Sequence, residues 1–426
     1  MKLHIHSGRE FAGGLDLPWT EPLETWDLET MVRLSRGLSR NVVRFVSYRD
    51  VVFAVKEIAE YLAVREYGLL RQLVDLGQPV VEPICLVTER ATGADADPRV
   101  RDKALLLTRY LDRSLPLRSL ITSGGGADQV HNLMDAVAEL IVRLHLAGFF
   151  WGDCSLSNTL FRLDAGRFAA YLVDAETGEL HETLSPGQRQ HELMIASENL
   201  AGELMDLDAG FGLPEEVDPV DLAMSVADRY ERLWDEITRD EVYSINERYR
   251  IEARVRRLNQ LGFDVQDLEI ETLGEGEQVR MHAEVVEPGY HRRLVKTLTG
   301  LDAQENQARR LLDDMYSFHA WQTGVQGQDI PETISAYRWF SEIYQPTLSA
   351  IPDALRAKLD DAEIFHQILE HRWYMSEHEG REVGLDEVIP DYVENVLKPT
   401  PAPKVETNPL AISDETRTPL PPDSIR

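Results

Sequence analysis

The strongest constraint on the fold of this chain lies in residues 145–161, whose sequence is HLAGFFWGDCSLSNTLF. They continue from residues 128–147, where apolar side chains recur every third or fourth position and predict a long amphipathic helix. The loop that follows carries Asp153 and, five residues later, Asn158. Both residue types can cap turns, but capping explains one of them better than both. The loop therefore points to a chemical role.

Strand patterns come before helix patterns along the chain. β-Branched and aromatic residues between polar turns predict a small antiparallel sheet over residues 30–56. Residues 57–76 have the spacing of a helix that Gly77 would terminate. This order predicts an α+β unit with two lobes. Further strands are predicted at 79–88, 104–111 and 167–176, and further helices at 189–207 and 219–237.

The pattern changes beyond about residue 240. A charged helix is predicted to end at LGF, residues 261–263, and two strands are predicted on either side of the turn GEGE, residues 274–277. Residues 301–397 have a mostly helical pattern, with YRWF and WYMSEH expected to supply aromatic core. Residues 398–426 are rich in proline and poor in large apolar groups, which predicts a disordered tail.

Composition limits the function further. A chain of 426 residues is long enough for two or three domains, and its net charge of −30 disfavours binding to nucleic acid or anionic lipid. The two cysteines are too few for a disulfide framework. The opening MKLHIHSGREFAGG has no apolar signal core, and no run approaches eighteen apolar residues. We expect a cytoplasmic protein without membrane insertion.

Five polar residues occur in an order that suits phosphoryl transfer from ATP. That chemistry needs a cation for the phosphates, a carboxylate that fixes this cation, two metal ligands and a base beside the acceptor hydroxyl. The chain offers Lys56, Glu66, Asp153, Asn158 and Asp174 in that order. Each residue alone has an ordinary explanation, such as a solvated lysine or an exposed helix glutamate. Their combined order carries the hypothesis.

The sequence around this loop resembles the atypical bacterial branch of the protein-kinase-like superfamily, near lipopolysaccharide kinases and small-molecule phosphotransferases. In that branch the catalytic loop has the pattern LH-x-x-G-x-x-x-GD-x-x-x-x-N. The resemblance covers residues 25–215 and implies a two-lobed protein-kinase-like fold, phosphotransferase activity, and ATP and Mg²⁺ as cofactors. The pattern is formed here by Leu144, His145, Gly148, Gly152, Asp153 and Asn158.

The resemblance also implies roles for individual residues. Lys56 would bind the nucleotide phosphates, and Glu66 would fix that lysine. Asp153 would orient and deprotonate an acceptor hydroxyl, while Asn158 and Asp174 would hold the metal. The hinge that receives adenine through backbone groups would be the segment LTRYL, near Arg109, Tyr110 and Leu111.

Two features depart from the usual kinase pattern. The glycine-rich cover over the phosphates is reduced to SRGLSR, where Gly37 is the only glycine. Arg36 or Arg40 would then hold phosphate in place of a backbone nest. Where many kinases have D-F-G, residues 174–176 read D-A-E, which keeps the metal ligand and loses the aromatic residue.

We predict four segments from these patterns: an N-terminal extension at 1–24, a kinase-like domain at 25–215, a mostly helical α+β domain at 216–397, and the tail at 398–426. Residues 240–397 resemble a bacterial domain of unknown function that follows such kinase-like domains in actinobacterial proteins. That resemblance implies no activity. We expect the domain to serve substrate recognition or regulation.

Other candidate residues are better explained without chemistry. Cys154 has no activating partner legible in the sequence and is expected to pack. His366, His371 and His378 lack the i, i+4 spacing of a helical zinc site. The run ERYRIEARVRR, residues 247–257, alternates charges as a solvated helix does, although it could also grip an anion.

Three functions remain open at this point. The first is an ATP-dependent phosphotransferase with an unknown acceptor, which could be a protein, a sugar or a metabolite. The second is a pseudokinase that senses nucleotide or acts as a scaffold, and the third is a nucleotidyl transferase. The intact set of five polar residues favours the first, whereas the reduced glycine cover favours the second. The oligomeric state is open.

Overall fold

The computed structural model describes residues 1–6, 17–32, 34, 41–48, 51–91, 97–122, 126–239, 241–244, 249–250, 253–254, 265–273, 278–285, 289–326 and 330–400. Several predictions therefore fall outside the described residues. They concern Arg36, Gly37 and Arg40, the end of the charged helix at 261–263, the GEGE turn, most of the run 247–257, and the tail from residue 401.

A six-stranded antiparallel sheet forms the N-terminal lobe. Helix α1 (Glu60–Asp75) connects its fourth and fifth strands and ends before Gly77, whose φ of +68° suits a residue without a Cβ. The spatial order of the strands is β1-β5-β6-β4-β3-β2. The strands are β1 (Lys2–Ile5), β2 (Met31–Val32), β3 (Val42–Tyr48), β4 (Val51–Ala59), β5 (Pro83–Thr88) and β6 (Lys103–Arg109).

The helix predicted from residue 57 begins three residues later than expected. Glu57 pairs in register with Leu105 of β6, so the strand continues through it. Its buried carboxylate accepts a hydrogen bond from Arg90 at 2.6 Å, and Arg90 is itself buried. This ion pair between distant residues, together with the ladder to β6, favours a strand where local spacing predicted a helix.

The outer face of this sheet is covered by the segment that precedes β2. Trp19, Leu23 and Trp26 are buried in one cluster with Val55 of β4 and Leu107 of β6. The sheet therefore has apolar cores on both faces. The segment and strand β1 both pack on this lobe, while the domain boundary at residue 24 stays a prediction.

The second lobe is mostly helical and carries one long hairpin. Its helices are α2 (Leu117–Thr122), α3 (Ala127–Leu146), α4 (Pro186–Phe211) and α5 (Pro219–Thr238). The hairpin joins β8 (Thr159–Asp164) to β9 (Arg167–Leu172), and a short pair joins β7 (Phe149–Phe150) to β10 (Glu179–Leu180). Helix α5 packs into the same core as α3 and α4. The two-lobed α+β prediction is confirmed.

The C-terminal part has its own strands, helices and core. Its helical core is centred on buried Trp339, Tyr344 and Phe365, whereas Trp373 and Tyr374 are exposed, so the aromatic prediction for WYMSEH was wrong. Two π-helical turns occupy Phe340–Tyr344 and Val393–Leu397. The other elements are β11 (Glu241–Ser244), β12 (Val265–Leu273), β13 (Gln278–Val285), α6 (Tyr290–Thr299), α7 (Glu305–Gln326), α8 (Glu332–Trp339), α9 (Gln345–Ser349), α10 (Asp353–Arg356), α11 (Asp361–Glu379) and α12 (Leu385–Tyr392).

The mostly helical character predicted for this part is confirmed, as are the strands on either side of residues 274–277. Across the part of the chain that the structure describes, no helix is both long and apolar enough to cross a membrane.

Candidate active site

A cavity of about 560 Å³ lies between the two lobes. Its lining combines charged and amide side chains with apolar ones. The polar side chains include Lys56, Asp153, Asn158, Asp174 and Glu176. The apolar side chains are those of Val43, Phe45, Ala54, Val81, Leu111, Leu160 and Val173. A cavity with both kinds of lining has the chemistry of a site for a base joined to phosphates.

Lys56 reaches the cavity because of the alternation along β4. Val55 points into the outer core of the sheet, so its neighbours Ala54 and Lys56 point to the cleft. Lys56 pairs with Val43 on one side and Leu106 on the other, deep in the sheet. A lysine in the middle of a paired strand is held at a fixed position.

Three carboxylates surround the Lys56 ammonium group. Its Nζ lies 3.0 Å from Glu66 Oε2, 2.5 Å from Asp174 Oδ2 and 3.3 Å from Glu176 Oε2. Burial lowers the pKa of Lys56, but the negative charges of Glu66, Asp174 and Glu176 outweigh it and raise the pKa above its ordinary value. Lys56 is therefore a permanent cation at the floor of the cavity.

Glu66 differs from the other two carboxylates because it is buried on α1 and does not line the cavity. Burial and the charge of Asp174 raise the pKa of Glu66 to about 8, against the opposing effect of Lys56. One oxygen each from Glu66, Asp174 and Glu176 lies within 4.8 Å of the others. A second cation in the cleft would relieve this concentration of negative charge.

Asp153 lies in the loop after β7, and each of its carboxylate oxygens accepts a hydrogen bond from an amide side chain. Asn158 Nδ2 donates to Oδ2 at 3.1 Å. Asn199 Nδ2 donates to Oδ1 at 3.2 Å and also to the Cys154 carbonyl oxygen at 3.1 Å. The carboxylate is thus fixed from both sides, and it lines the cavity.

Helix α4 supports this loop through three polar residues that the sequence analysis missed. Buried Glu192 accepts hydrogen bonds from the Trp151 and Gly152 amides at 2.8 and 2.9 Å. Asn199 follows Glu192 by seven residues and Glu203 follows Asn199 by four, so all three lie on one helix face. Glu203 accepts hydrogen bonds from the amides of Leu156 and Ser157. In the sequence, the signal for these three residues is their polar character at helical spacing on a helix face that is otherwise apolar.

The loop glycine Gly148 has a structural explanation. Its φ is +77°, and a Cβ there would lie 2.1 Å from the carbonyl oxygen of His181. Only glycine fits this close approach. His145, from the same motif, is buried, with Nε2 2.9 Å from Glu192 and Nδ1 2.8 Å from the Tyr230 hydroxyl. These two motif residues shape the loop from behind the cavity.

The predicted hinge lines the cavity with Arg109, Tyr110 and Leu111. The Tyr110 amide donates to the Val52 carbonyl at 2.9 Å, and the Arg109 amide to the Glu82 carbonyl at 2.8 Å. Both amides are therefore occupied within the protein. The Leu111 carbonyl accepts from Ser114 at 3.1 Å, while its amide has no donor bond to any residue that the structure describes.

The side chains set aside in the sequence analysis do not line the cavity. Cys154 is fully buried, and burial raises the pKa of its thiol well above the usual value, as expected for a packing residue. His371 contacts Asp391 at 2.7 Å, and His366 is buried on the same helix. The three histidines form no metal-binding group among the residues described.

Two protein-family models match separate parts of this chain. The lipopolysaccharide kinase (Kdo/WaaP) family model matches residues 47–196, and the model of a domain of unknown function, DUF4032, matches residues 232–397. No curated protein matches significantly. The solved structure of WaaP in complex with acyl carrier protein is similar over 61% of this chain and 99% of its own length, at 17% identity and a TM-score of 0.33. The chain thus carries a lipopolysaccharide kinase (Kdo/WaaP) family domain followed by a DUF4032 domain.

Proposed function

We propose that this chain is an ATP- and Mg²⁺-dependent phosphotransferase. The observation that carries the proposal is the single cavity lined by Lys56, Asp153, Asn158 and Asp174, with Glu66 fixing the lysine from behind. A kinase-family match over residues 47–196 supports the same conclusion. Phosphoryl transfer depends mainly on positioning and charge, and these residues are held by strands, a helix and paired amides.

The donor set fits Mg²⁺. The amide nitrogen of Asn158 is engaged by Asp153, which leaves its amide oxygen for a cation. Asp174 offers a carboxylate 2.5 Å from Lys56, and oxygen ligands of this kind are those that Mg²⁺ prefers. Asn158 and Asp174 would hold the metal, and Mg²⁺ would neutralise charge on the transferring phosphoryl group.

The apolar side chains that line the cavity would contact an adenine ring, and the Leu111 amide would donate to it. Lys56 would bind the phosphates, and Asp153 would orient the acceptor hydroxyl and take its proton. The predicted phosphate contacts of Arg36, Gly37 and Arg40 belong to this proposal and lie outside the described residues. We also propose that the protein is cytoplasmic and that its C-terminal domain serves substrate recognition or regulation.

A pseudokinase is the second candidate, and the contacts of Lys56 favour it. The ammonium group is already engaged by Asp174 and Glu176, at 2.5 and 3.3 Å. A productive complex requires Asp174 to turn from the lysine to a metal. A protein that keeps this ion-pair network would bind nucleotide weakly and transfer nothing.

The first prediction tests nucleotide binding. We expect Mg²⁺-ATP at a hundred times its Kd to stabilise the protein by about 2.7 kcal/mol, which raises the thermal midpoint by roughly 5 °C. The Asp174→Ala variant should lose the Mg²⁺-dependent part of this rise, whereas Glu182→Ala, which changes an exposed carboxylate, should keep it.

The same samples separate the candidates when ADP formation is measured. A rise in the thermal midpoint accompanied by ADP formation supports the phosphotransferase. A rise in the thermal midpoint without ADP formation in any acceptor mixture supports the pseudokinase. A transferred nucleotide would instead appear as a mass increase of the acceptor with release of pyrophosphate. No rise at millimolar Mg²⁺-ATP would overturn the proposal.

The second prediction concerns Asn199, which holds Asp153 from α4. We expect Asn199→Ala to lower the turnover number about tenfold with little change in the KM for ATP, because a hydrogen bond to a charged group contributes about 1.5 kcal/mol. Glu198→Ala, an exposed neighbour on the same helix, is the control. An unchanged turnover number in Asn199→Ala would show that Asn158 alone orients the carboxylate.

A further inference from the structure

The turn of the β8–β9 hairpin is bonded to the C-terminal domain. Its open end leads directly to both proposed metal ligands. Asn158 precedes β8, and Asp174 lies two residues beyond the end of β9. The Val173 amide donates to the Asn158 carbonyl at 3.0 Å, which continues the ladder between the two ligands. The position of the hairpin therefore sets the position of both ligands.

Contacts from the C-terminal domain begin at the closed end of this hairpin. The turn residues Ala165 and Gly166 have φ values of +54° and +75°, and the ladder between β8 and β9 ends at the pair Asp164–Arg167 before them. The carboxylate of Glu363, on α11, accepts a hydrogen bond from each of these amides, at N–O distances of 2.7 and 2.9 Å. Glu363 is 1% exposed, so these charge-assisted bonds form away from water. The turn is fixed to α11 by its backbone.

A second set of contacts runs in the opposite direction. Asp164, the last residue of β8, accepts hydrogen bonds from the Asn306 and Gln307 amides at 3.1 and 2.8 Å. These amides belong to the first turn of α7, where backbone donors have no partner within the helix. A side chain of one domain thus caps a helix of the other. Each domain satisfies polar backbone groups that its neighbour leaves unpaired.

The third contact connects the hairpin to the hinge. Asp360, which precedes α11, accepts hydrogen bonds from Arg162 Nη2 at 2.9 Å and from Arg113 Nη1 at 2.8 Å. Arg162 lies on β8, and Arg113 lies two residues after Leu111. The Asp360 side chain does not cap α11, and among the residues that the structure describes its hydrogen bonds come from Arg113 and Arg162. One residue of the C-terminal domain thus links the segment after the hinge to β8.

β8 and β9 form a two-stranded sheet, which isolated bridges from Phe161 to Leu115 and from Leu172 to Val80 attach to the rest of the lobes. These bridges lie away from the turn, whose amides are bonded by the C-terminal domain. Leu160 on β8 lines the cavity, so movement of the hairpin would change the cavity wall as well as the position of the proposed metal ligands. Strands of six residues extend about 20 Å, and a paired ladder carries a displacement at the turn to the open end. External support at the turn is therefore support for the site.

We propose that the C-terminal domain is a positioning module for the nucleotide and metal site, which it controls through Asp360 and Glu363. Asp360 sets the distance between hinge and hairpin, and Glu363 fixes the turn. Both are positioning residues, because they act through Arg113, Arg162 and the turn amides. This inference rests on the proposed function and gives the domain a role in nucleotide binding within the same chain.

The test compares two adjacent aspartates in the full chain. Asp361 forms an ion pair with Arg356 inside the C-terminal domain, at 2.5 and 2.7 Å. We expect Asp360→Ala to weaken Mg²⁺-ATP binding in calorimetry about tenfold, equivalent to about 1.4 kcal/mol. Asp361→Ala should bind within twofold of the unmodified chain. Hydrogen exchange of residues 158–173 should accelerate in Asp360→Ala only.

A second variant removes one of these ion pairs with less risk of misfolding. The Arg113 side chain is 33% exposed, and in Arg113→Gln the carboxylate of Asp360 keeps its ion pair with Arg162. We expect it to weaken Mg²⁺-ATP binding about threefold. Nucleotide affinities equal to those of Asp361→Ala in both Asp360→Ala and Arg113→Gln would overturn the inference and leave the proposed function intact. Absence of Mg²⁺-ATP binding by the unmodified chain would overturn both.

Discussion

We expect Asp153→Asn to lower the rate of Mg²⁺-ATP turnover at least a hundredfold while leaving Mg²⁺-ATP binding within twofold. A positioned general base contributes about a hundredfold to ten-thousandfold, and asparagine cannot accept the proton. The substitution is nearly isosteric, although the single amide oxygen of asparagine can accept the hydrogen bond of only one of Asn158 and Asn199, which donate to different oxygens of Asp153. Turnover is measured as ADP release, with water as the acceptor until a better one is found.

The matched control for this prediction is Asp206→Asn, an exposed carboxylate on the same α4 that carries Asn199. Its turnover should equal that of the unmodified chain. A loss of Mg²⁺-ATP affinity in Asp153→Asn would mean that Asp153 belongs to the metal site. Retention of turnover would remove Asp153 from the role of base and leave charge stabilisation as the source of catalysis.

The helices and strands of the two lobes could be predicted from the sequence because the residue patterns that indicate them are local. Apolar spacing located α3 and α4 to within a few residues, and the motif glycines located the loop. The start of α1 was misplaced because Glu57 pairs with Arg90, a residue 33 positions away. Local periodicity carries no information about such a partner.

The supports of the site could not be predicted for the same reason. Glu192, Asn199 and Glu203 contact loop backbone groups 40 to 47 residues upstream. Their polar spacing on one face of α4 indicates a buried polar contact, but it does not identify the loop that they contact. Asp360 and Glu363 are still farther from Arg162 and Ala165, at 198 residues. The chemistry of a ligand restricts the types of the residues that contact it. A residue that supports a loop needs only a carboxylate or an amide at the right position, which many sequences can supply.

The five predicted polar residues illustrate the difference. Four of them line one cavity, and Glu66 contacts Lys56 from outside it. In the proposed roles, phosphate, metal and proton would dictate the types of these residues, and their order could therefore be recognised in a sequence. The types of the supporting residues Glu192, Asn199 and Glu203 depend on the backbone groups that they satisfy, and those groups come within their reach only once the loop has folded.

Glu192→Ala should produce the largest loss of stability among these variants, about 3–5 kcal/mol in the free energy of unfolding. Glu192 is 1% exposed and accepts hydrogen bonds from the Trp151 and Gly152 amides, and its other contact is His145. Its removal leaves two amides and an imidazole nitrogen buried without this partner, and each such group costs about 1–3 kcal/mol. Urea unfolding followed by tryptophan fluorescence measures the loss.

Two further variants define the cause of that loss. Glu192→Gln keeps an oxygen that can accept from the backbone amides, so we expect it to lose less than half as much stability as Glu192→Ala. Glu198→Ala, exposed on the same helix, should change the free energy of unfolding by less than about 0.5 kcal/mol. A loss below about 1 kcal/mol in Glu192→Ala would mean that water or another side chain satisfies the loop amides. The loop that carries Asp153 would then hold its shape without α4, and the role of Asn199 would have to be explained by its hydrogen bond to Asp153 alone.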